Sequence, residues 1–251
     1  MPSFAKIAAL VRTPAAWGAL SQGVVATAEH GAALGRFDFR TVIDVGANKG
    51  QFAAFAAARW PAAALYCFEP LPGPRARLEA VMRDRARIFD CALGARTDEV
   101  DILLSSREDS SSILPMAEQG ALFGQTADGA LRVHLRRLDD CIDANAIVRP
   151  ALLKIDVQGF EREVLAGAGA VAVAVDAVFV ELSFVELYRR QPLAGEVGAL
   201  LAQMGFGLAG VFNQARDRKM RPLQADFLFE RLERPYAGNA KSAETGPPRT
   251  S

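Results

Sequence analysis

The sequence has no surplus of charge and very few cysteines. Its 251 residues include 29 basic and 29 acidic side chains, so the formal net charge is zero. A long-range basic field that would attract nucleic acid is therefore not expected. The three cysteines, Cys67, Cys91 and Cys141, show no CxxC spacing. Their number and spacing favour reduced thiols in a cytoplasmic protein over a disulfide framework or a zinc site.

Long apolar runs are also missing. A transmembrane helix needs about 20 apolar residues, and the longest candidate, AVAVAVDAVFV, is short and interrupted by Asp176. Lys6 and Arg12 interrupt any signal-peptide core at the N-terminus. We therefore expect an N-terminal helical extension over residues 1–36 that packs on the protein. Residues 234–251 are rich in Gly, Pro, Ser and Thr, which predicts a disordered tail.

Between these ends, over residues 37–233, short apolar runs alternate with helical patterns. The runs TVIDV, ALYCFE, RIFDCAL, ALLKIDV and AVFVEL are typical of buried parallel strands. The helices between them are predicted at QFAAFAAARW, PRARLEAVMRD and FEREVLAGAG. A final antiparallel pair is predicted at GFGLAGVFN and QADFLFERL, and a hairpin-like insertion at VDILLSS and LRVHLRRLDD. The fold class is therefore α/β, with a doubly wound, mostly parallel sheet and helices on both faces.

The loop after the first strand lacks two features of phosphate-binding loops. Asn48 stands where a dinucleotide loop has glycine, and no Gly-Lys-Ser/Thr sequence follows. Asp44 would repel a phosphate but suits a cation, while Gly46 and Gly50 permit close backbone approach. The loop therefore favours S-adenosylmethionine, which carries a sulfonium and an ammonium, over a dinucleotide. A plain strand–helix turn is the alternative.

The next two strand ends supply further candidates for nucleoside binding. Glu69 ends the second strand, where a carboxylate can accept both hydroxyls of a ribose. Glu69 alone does not separate NAD from S-adenosylmethionine, because both carry a ribose. The third strand ends in FDCALG, so we expect Asp90, Cys91 and Ala92 near the adenine. A core strand edge is the alternative for these three residues.

With these elements in place, the sequence resembles the FkbM-type S-adenosylmethionine-dependent methyltransferases. The matching elements are IDVGANKGQF, FEP, ALG, RLDD, LLKIDVQGFEREVLAGA and VELS, which together cover most of the chain. The resemblance implies a Rossmann-like methyltransferase domain and methyl transfer to a hydroxyl of a sugar, glycolipid or secondary metabolite. It also implies a set of cofactor-binding residues, namely Asp44, Gly46, Asn48, Gly50 and Glu69.

The fourth and fifth strands bring charged residues to the same sheet edge. Lys154 and Asp156 are two residues apart and share one strand face, and Glu181 ends the next strand. Lys154 is either catalytic or part of an internal salt bridge, because a buried lysine is costly unless paired. Asp156 is predicted to lie beside the cofactor and to be the catalytic base or to hold the acceptor hydroxyl, with Glu181 assisting.

A bound metal is an open alternative at these acids. A Mg²⁺ ion could bridge Asp156 and Glu181, but two acids are too few to predict it. Gln158 stands where the family often has glutamate, which weakens any role for an acid at that position.

Four other sites have simpler structural explanations. His134 lies in a strand-like run, and a strand histidine is more often structural than catalytic. Arg136 and Arg137 could orient an acidic acceptor but are more simply solvated. Ser110 to Ser112 could contact the acceptor, although serines in a turn need no function.

Two pairs of acids are assigned to helix ends. Asp139 and Asp140 predict the cap of a helix that starts near Cys141. Glu161 and Glu163 fall in the first turn of a helix, where acids suit the helix dipole.

Two other functions remain as alternatives, an NAD-dependent oxidoreductase and a nucleoside-binding domain without catalysis. A nucleic-acid methyltransferase is less favoured, because the chain has no basic surplus. The fourth strand also ends in DVQG, without the Asp/Asn-Pro-Pro-aromatic signature that resembles amino-methylating enzymes. The expected partner is thus a small-molecule or glycan acceptor.

Overall fold

A computed structural model describes residues 27–105, 111–117 and 127–232. Most of the predicted N-terminal extension, the predicted tail and Ser110 lie outside these ranges. Within them, no helix is both long enough and apolar enough to cross a membrane.

Ten strands form two sheets in the part of the chain that the structure describes. In chain order they are β1 Thr41–Val45, β2 Ala64–Phe68, β3 Arg87–Phe89, β4 Ala92–Leu93, β5 Asp98–Ser105, β6 Ala127–Arg136, β7 Ala151–Ile155, β8 Ala177–Ser183, β9 Phe206–Arg216 and β10 Pro222–Arg231. The large sheet has the order β3-β2-β1-β7-β8-β10-β9 and the small sheet the order β4-β6-β5. In the large sheet β10 runs antiparallel to β8 and β9, and the other pairings are parallel. The mostly parallel, doubly wound sheet with an antiparallel C-terminal pair is confirmed.

Helices cover both faces of the large sheet. They are α1 Gly31–Leu34, α2 Gln51–Arg59, α3 Pro72–Met82, α4 Glu161–Ala166, α5 Gly169–Ala174 and α6 Ala194–Gln203. Successive strand residues point to opposite faces: Val42 packs in the cluster with α1, α2 and α3, and Ile43 in the cluster with α4, α5 and α6. Every residue of β1 and β7 is buried, as two covered faces require.

The third predicted strand, RIFDCAL, is wrong as a single element. β3 ends at Phe89, whose ring stacks on Phe68, and Asp90 is exposed. The chain then enters β4, which pairs with the end of β6 in the small sheet. Apolar residues flank Asp90 on both sides, so the two short strands looked like one.

The predicted helix FEREVLAGAG, residues 160–169, is shorter in the structure: α4 ends at Ala166, and a separate helix, α5, begins at Gly169. They are separated near Gly167, where a Cβ would lie 2.0 Å from the Gly94 carbonyl oxygen. The predicted helix cap at Asp139 and Asp140 is also wrong, because no α-helix of the described chain starts near Cys141. These residues lie within a 3-10 turn, Leu138–Asp140, and Asp139 Oδ1 instead accepts the N–H of Val171 in α5.

The predicted hairpin insertion is confirmed by the antiparallel pairing of β5 and β6. After β5 the chain returns to the large sheet, where Ser112 Oγ donates to the Gln158 carbonyl oxygen at 2.6 Å. The insertion therefore lies against the loop that follows β7. The order of the large sheet reverses between β1 and β7, so β1 leads to α2 on one face of the sheet and β7 leads to α4 on the other face. A crevice opens at this topological switch point, where α/β proteins bind ligands.

Candidate active site

A cavity occupies this crevice, and the residues that line it can be divided into two sets. We call the first set the loop wall; it contains Gly46, Ala47, Asn48, Glu69, Cys91 and Ala92. The second set, the carboxylate wall, contains His30, Lys154, Asp156, Glu181 and Asp226. Ser111, Ser112 and Ile113 of the insertion also reach the cavity.

The loop wall depends on backbone conformations that favour glycine. Gly46 has a φ of 76°, and a Cβ there would lie 1.9 Å from the Asp156 carbonyl oxygen. The loop after β1 therefore lies directly on the chain after β7. Gly50 has a φ of 89° and packs against Leu78, so it begins α2 without lining the cavity. Asn48 has a φ of 48°, a region that asparagine tolerates better than most residues.

Glu69 faces the cavity with both carboxylate oxygens already held. Oε2 accepts the Asn48 N–H at 2.9 Å, and Oε1 accepts the Leu71 N–H at 2.8 Å. Glu69 is only 5% exposed, and burial raises its pKa to about 7. The two hydrogen bonds lower the pKa, but they do not cancel the effect of burial. Each oxygen keeps a lone pair that can accept a hydroxyl. Of the three predicted adenine neighbours, Cys91 and Ala92 line the cavity and Asp90 does not.

Asp44 and Lys154 form a buried ion pair behind the loop wall. Asp44 is 1% exposed, and its Oδ1 lies 3.2 Å from Lys154 Nζ. Burial raises the pKa of Asp44, and Lys154 opposes that rise. Burial alone would lower the pKa of Lys154, but Asp44 and Asp156 outweigh it and hold the pKa above its ordinary value. The internal salt bridge is therefore present, and Asp44 does not itself line the cavity.

Lys154 also connects the two walls. Its Nζ donates to the Gly46 carbonyl oxygen at 3.3 Å and lies 3.6 Å from Asp156 Oδ2. The positive charge is thus shared between two acids and the glycine loop.

An amide joins the two predicted catalytic acids. Gln158 Nε2 donates to Asp156 Oδ1 at 2.8 Å and to Glu181 Oε2 at 3.1 Å, and Gln158 Oε1 accepts the Tyr188 hydroxyl at 2.9 Å. Glu181 Oε1 accepts from Gln224 at 2.9 Å. Burial first, then the charges of nearby acids, raise the pKa of Glu181 well above its ordinary value.

The structure adds no third metal ligand beside Asp156 and Glu181 within the described residues. Among the residues that the structure describes, no group of three His, Cys, Asp or Glu side chains could hold a metal ion.

The sequence interpretation missed His30 and Asp226. His30 ends a 3-10 turn, Ala28–His30, inside the segment predicted as an extension, and Asp226 lies opposite Glu181 in the register of β10 with β8. Burial raises the pKa of Asp226 to about 6. An acid within the apolar strand pattern QADFLFERL was the one signal available in the sequence.

The remaining polar candidates lie elsewhere or have structural partners. The side chain of His134 is 69% exposed, and it lies outside the residues that line the cavity. Arg136 and Arg137 donate to backbone carbonyls, of Asp140 and Ala95 respectively.

The two predicted first-turn acids do lie in the first turn of α4. However, Glu161 is buried, and its Oε1 accepts the Gly159 N–H at 2.9 Å. Burial raises the pKa of Glu161 to about 7.

Comparison with known families decides the class of enzyme. The methyltransferase FkbM domain matches residues 44–208. The chain belongs to the FkbM methyltransferase family. The predicted resemblance to this methyltransferase family is confirmed. The NAD-dependent oxidoreductase alternative is set aside.

Curated relatives of this FkbM-family chain include two methyltransferases. The chain is 32% identical over 160 residues to the 2-O-methyltransferase NoeI of Sinorhizobium fredii, an alignment that covers 60% of this chain and 66% of NoeI, just under two thirds. It is 31% identical over 202 residues to the 31-O-demethyl-FK506 methyltransferase FkbM of Streptomyces tacrolimicus, covering 70% of this chain and 75% of that protein.

Solved structures show a more distant likeness. Fibrillarin of Aeropyrum pernix, solved with natively bound S-adenosyl-L-methionine, is 15% identical with a TM-score of 0.44, covering 85% of this chain and 76% of that chain. At such a TM-score the strand order described above, rather than this likeness, defines the fold of the FkbM-family chain.

Proposed function

We propose that this protein transfers a methyl group from S-adenosylmethionine to a hydroxyl oxygen of a sugar, glycolipid or secondary metabolite. The observation that carries the proposal is the acidic lining of the cavity, whose carboxyl groups a bound cation would favour in their ionised form. Among the described residues that line it, Glu69, Asp156, Glu181 and Asp226 stand against the single lysine Lys154. A surplus of carboxylates at a topological switch point suits a nucleoside that carries positive charge and disfavours a pyrophosphate.

The loop wall fits the nucleoside part of the cofactor. Gly46 lets the loop after β1 lie against the Asp156 backbone beside the cavity, and the free lone pairs of Glu69 suit two ribose hydroxyls. Cys91 and Ala92 offer small side chains beside the adenine. When bound, S-adenosylmethionine supplies a methyl group on a sulfonium, which is already activated as a leaving group.

The carboxylate wall fits the cation and the acceptor. Asp156 carries a charge that Lys154 only partly offsets, because Lys154 is shared with Asp44. Glu181 and Asp156 are fixed relative to one another by the Gln158 amide. Oxygens held in this way can orient an acceptor hydroxyl, which is the main requirement of an in-line methyl transfer.

The acceptor class follows from the same charges and from the relatives. The names of both relatives refer to an oxygen position: one is a 2-O-methyltransferase and the other a 31-O-demethyl-FK506 methyltransferase. A wall of carboxylates repels phosphates, which supports a small-molecule or glycan acceptor over nucleic acid. Partner and compartment stay predictions.

Calorimetric titration tests the cofactor part of this proposal. S-adenosylmethionine and S-adenosylhomocysteine should bind, and NAD should not. Glu69→Gln should weaken both ligands about 10- to 100-fold, since a hydrogen bond to a charged group contributes about 1.5–3 kcal/mol. Glu79→Gln is the matched control, because Glu79 is an exposed residue of α3. Equal affinities of the two variants would contradict the role of Glu69.

Labelled S-adenosylmethionine tests the acceptor class. The protein is incubated with cell extracts that are fractionated into sugars, glycolipids, small metabolites, proteins and nucleic acids. Label is expected in one of the first three fractions. Label found only in protein or nucleic acid would overturn the proposed acceptor, and cofactor binding without label would support a binding domain without catalysis.

A further inference from the structure

One hydroxyl group of the cavity lining is buried without a hydrogen bond. It belongs to Thr27, and among the residues that the structure describes its Oγ1 has no hydrogen-bond partner. The other buried oxygens of this kind belong to Asp44, which has Lys154 as its ion-pair partner. A buried polar group without a partner costs free energy, and such groups are rare in folded proteins. The Thr27 hydroxyl is therefore a candidate contact for a bound ligand.

The backbone of Thr27 is held at both of its polar groups. Its N–H donates to the Gln51 carbonyl oxygen at 3.3 Å, and its carbonyl oxygen accepts the His30 N–H at 3.2 Å. The same segment is anchored further along the chain, because Ala33 and Leu34 of α1 are buried. The hydroxyl is therefore kept close to the start of α2.

The start of α2 favours a negative charge beside this hydroxyl. The helix spans nine residues and begins at Gln51, which also lines the cavity. Within the described chain, no side chain caps this helix and no acid lies in its first turn. First-turn N–H groups have no partner within a helix and attract an anion, and a glutamine amide can donate to one as well. Thr27 and Gln51 thus bring hydrogen-bond donors to a cavity with an acidic lining.

The charged part of the lining offers little to an anion. Its described residues include four carboxyl groups, one lysine, Lys154, and no arginine. Lys154 Nζ already lies 3.2 Å from an oxygen of Asp44 and 3.6 Å from an oxygen of Asp156. An anionic group of a ligand is therefore best accommodated beside Thr27 and Gln51.

We propose that the Thr27 hydroxyl, together with the first turn of α2, binds the carboxylate of S-adenosylmethionine. The inference rests on the proposed function and deepens it. S-adenosylmethionine carries one carboxylate besides its ammonium and its sulfonium, so its charges divide as the lining does. The carboxylate accepts from the Thr27 hydroxyl and from α2, while the two cationic groups are left to the carboxyl groups.

The proposal gives the segment before α1 a part in cofactor binding. Thr27 precedes the match to the FkbM domain, residues 44–208, and also the predicted methyltransferase domain, residues 37–233. The carboxylate contact is therefore supplied by a residue outside the matched family motifs. Loss of that contact should weaken the cofactor without disturbing the loop wall.

Calorimetric titration with two ligands tests the contact. One ligand is S-adenosylhomocysteine, and the other is its decarboxylated analogue, which keeps the nucleoside, the sulfur and the ammonium. Thr27→Val should weaken S-adenosylhomocysteine about 10- to 100-fold, the range for a hydrogen bond to a charged group, and the analogue less than about twofold. Thr27→Ser keeps the hydroxyl and should bind both ligands as the wild type does.

Thermal unfolding of the ligand-free protein separates this role from a structural one. Valine has nearly the shape of threonine but no hydroxyl, so Thr27→Val removes the cost of the unpartnered oxygen. Its melting temperature should rise by about 2–4 °C. Thr97→Val is the matched control, because Thr97 is exposed and its Oγ1 donates to Asp140 Oδ2 at 3.2 Å. The control should keep both affinities and show no rise in melting temperature.

The possible failures are distinguishable. Equal weakening of both ligands by Thr27→Val, or an unchanged affinity for S-adenosylhomocysteine, would overturn the carboxylate contact alone. A lower melting temperature of Thr27→Val would assign the hydroxyl to the fold and would overturn the contact as well. A wild type that binds neither S-adenosylmethionine nor S-adenosylhomocysteine would overturn the proposed function itself.

Discussion

The loop wall is shaped by backbone conformation and local hydrogen bonds, whereas the carboxylate wall consists mainly of charged side chains. The loop wall comes from three short stretches that follow β1, β2 and β3, and Glu69 ties the first two together through the Asn48 N–H. The carboxylate wall is assembled from β7, β8, β10 and the segment before α1. The first wall is therefore set by local conformation, and the second by tertiary packing.

This difference separates the two tasks of the site. A backbone wall has few internal degrees of freedom and suits a cofactor that does not change. A wall of side chains from distant segments can change its chemistry through single substitutions without altering the fold. We therefore expect damage to the loop wall to abolish cofactor binding, and damage to the carboxylate wall to change the rate and the pH dependence.

The largest effect is expected from Gly46→Ala. The added methyl group would lie 1.9 Å from the Asp156 carbonyl oxygen, at a φ of 76° that a side chain rarely adopts. β1 and β7 would have to separate, so we expect loss of S-adenosylhomocysteine binding and a fall of roughly 3 kcal/mol or more in the free energy of unfolding.

Gly73→Ala is the matched control for this change. A Cβ at Gly73, in the first turn of α3, meets no atom within 4 Å. Its unfolding free energy should stay within about 0.5 kcal/mol of wild type in a denaturant titration. If Gly46→Ala bound S-adenosylhomocysteine as tightly as Gly73→Ala does, the close contact of the two loops would not be required.

Lys154→Met should have the next largest effect, because Lys154 contacts both walls. Asp44 would be left buried without its cation, at a cost of about 3–5 kcal/mol in the free energy of unfolding. Cofactor binding and stability should therefore fall together. The double variant Asp44→Leu with Lys154→Met should recover most of the stability but not the binding.

An exposed ion pair supplies the control for Lys154. Arg162 and Glu163 form a pair at 3.1 Å in which the arginine side chain is 54% exposed. Arg162→Met should change the unfolding free energy by no more than about 1 kcal/mol. A Lys154→Met variant as stable as Arg162→Met would show that the buried pair contributes little.

The contrast between the walls also explains which site residues could be predicted from the sequence. Gly46, Asn48 and Glu69 follow strand ends within one βαβ unit, so local rules were enough to locate them. His30 and Asp226 are far apart in the chain, and only the pairing of β10 with β8 and the packing of α1 bring them together. The sheet order could be predicted because strand and helix patterns alternate.

The errors have the same origin. Asp90 lies between apolar residues, and nothing local shows that β4 leaves the large sheet at that point. The burial of Glu161 also depends on tertiary contacts, since its position in a first turn is typical of an exposed acid. Burial of an acid is a property of what packs over it, which the local pattern does not contain.

The pH dependence of ligand affinity should also distinguish the two walls, with a smaller effect than the Gly46 and Lys154 substitutions. The raised pKa values of Glu69 and Asp226, about 7 and about 6, mean that the folded protein binds more protons than the unfolded chain between about pH 4.5 and 7. Without ligand, these groups therefore make the protein less stable as pH rises through this window.

Ligand binding should follow the opposite trend, since both ligands need ionised Glu69. S-adenosylmethionine additionally carries the sulfonium, whose binding we expect an ionised Asp226 in the cavity lining to favour. The affinity ratio of S-adenosylmethionine to S-adenosylhomocysteine should fall about fourfold from pH 8 to pH 5.5 in calorimetric titrations, because a carboxyl group with a pKa of about 6 is only about a quarter ionised at pH 5.5. Asp226→Asn should flatten that ratio. A constant ratio in the wild type would contradict a cation site at the carboxylate wall.

The smallest effect is expected from Tyr188→Phe, which alters only the support of the carboxylate wall. The lost hydroxyl no longer donates to Gln158 Oε1, a change of about 1 kcal/mol in the free energy of unfolding. Since Gln158 holds Asp156 and Glu181, the methyl-transfer rate should fall about three- to tenfold, while calorimetry should show unchanged S-adenosylhomocysteine affinity. Tyr66→Phe on β2 is the control and should leave the rate unchanged. Equal losses of affinity and rate in Tyr188→Phe would mean that the two walls respond as one unit.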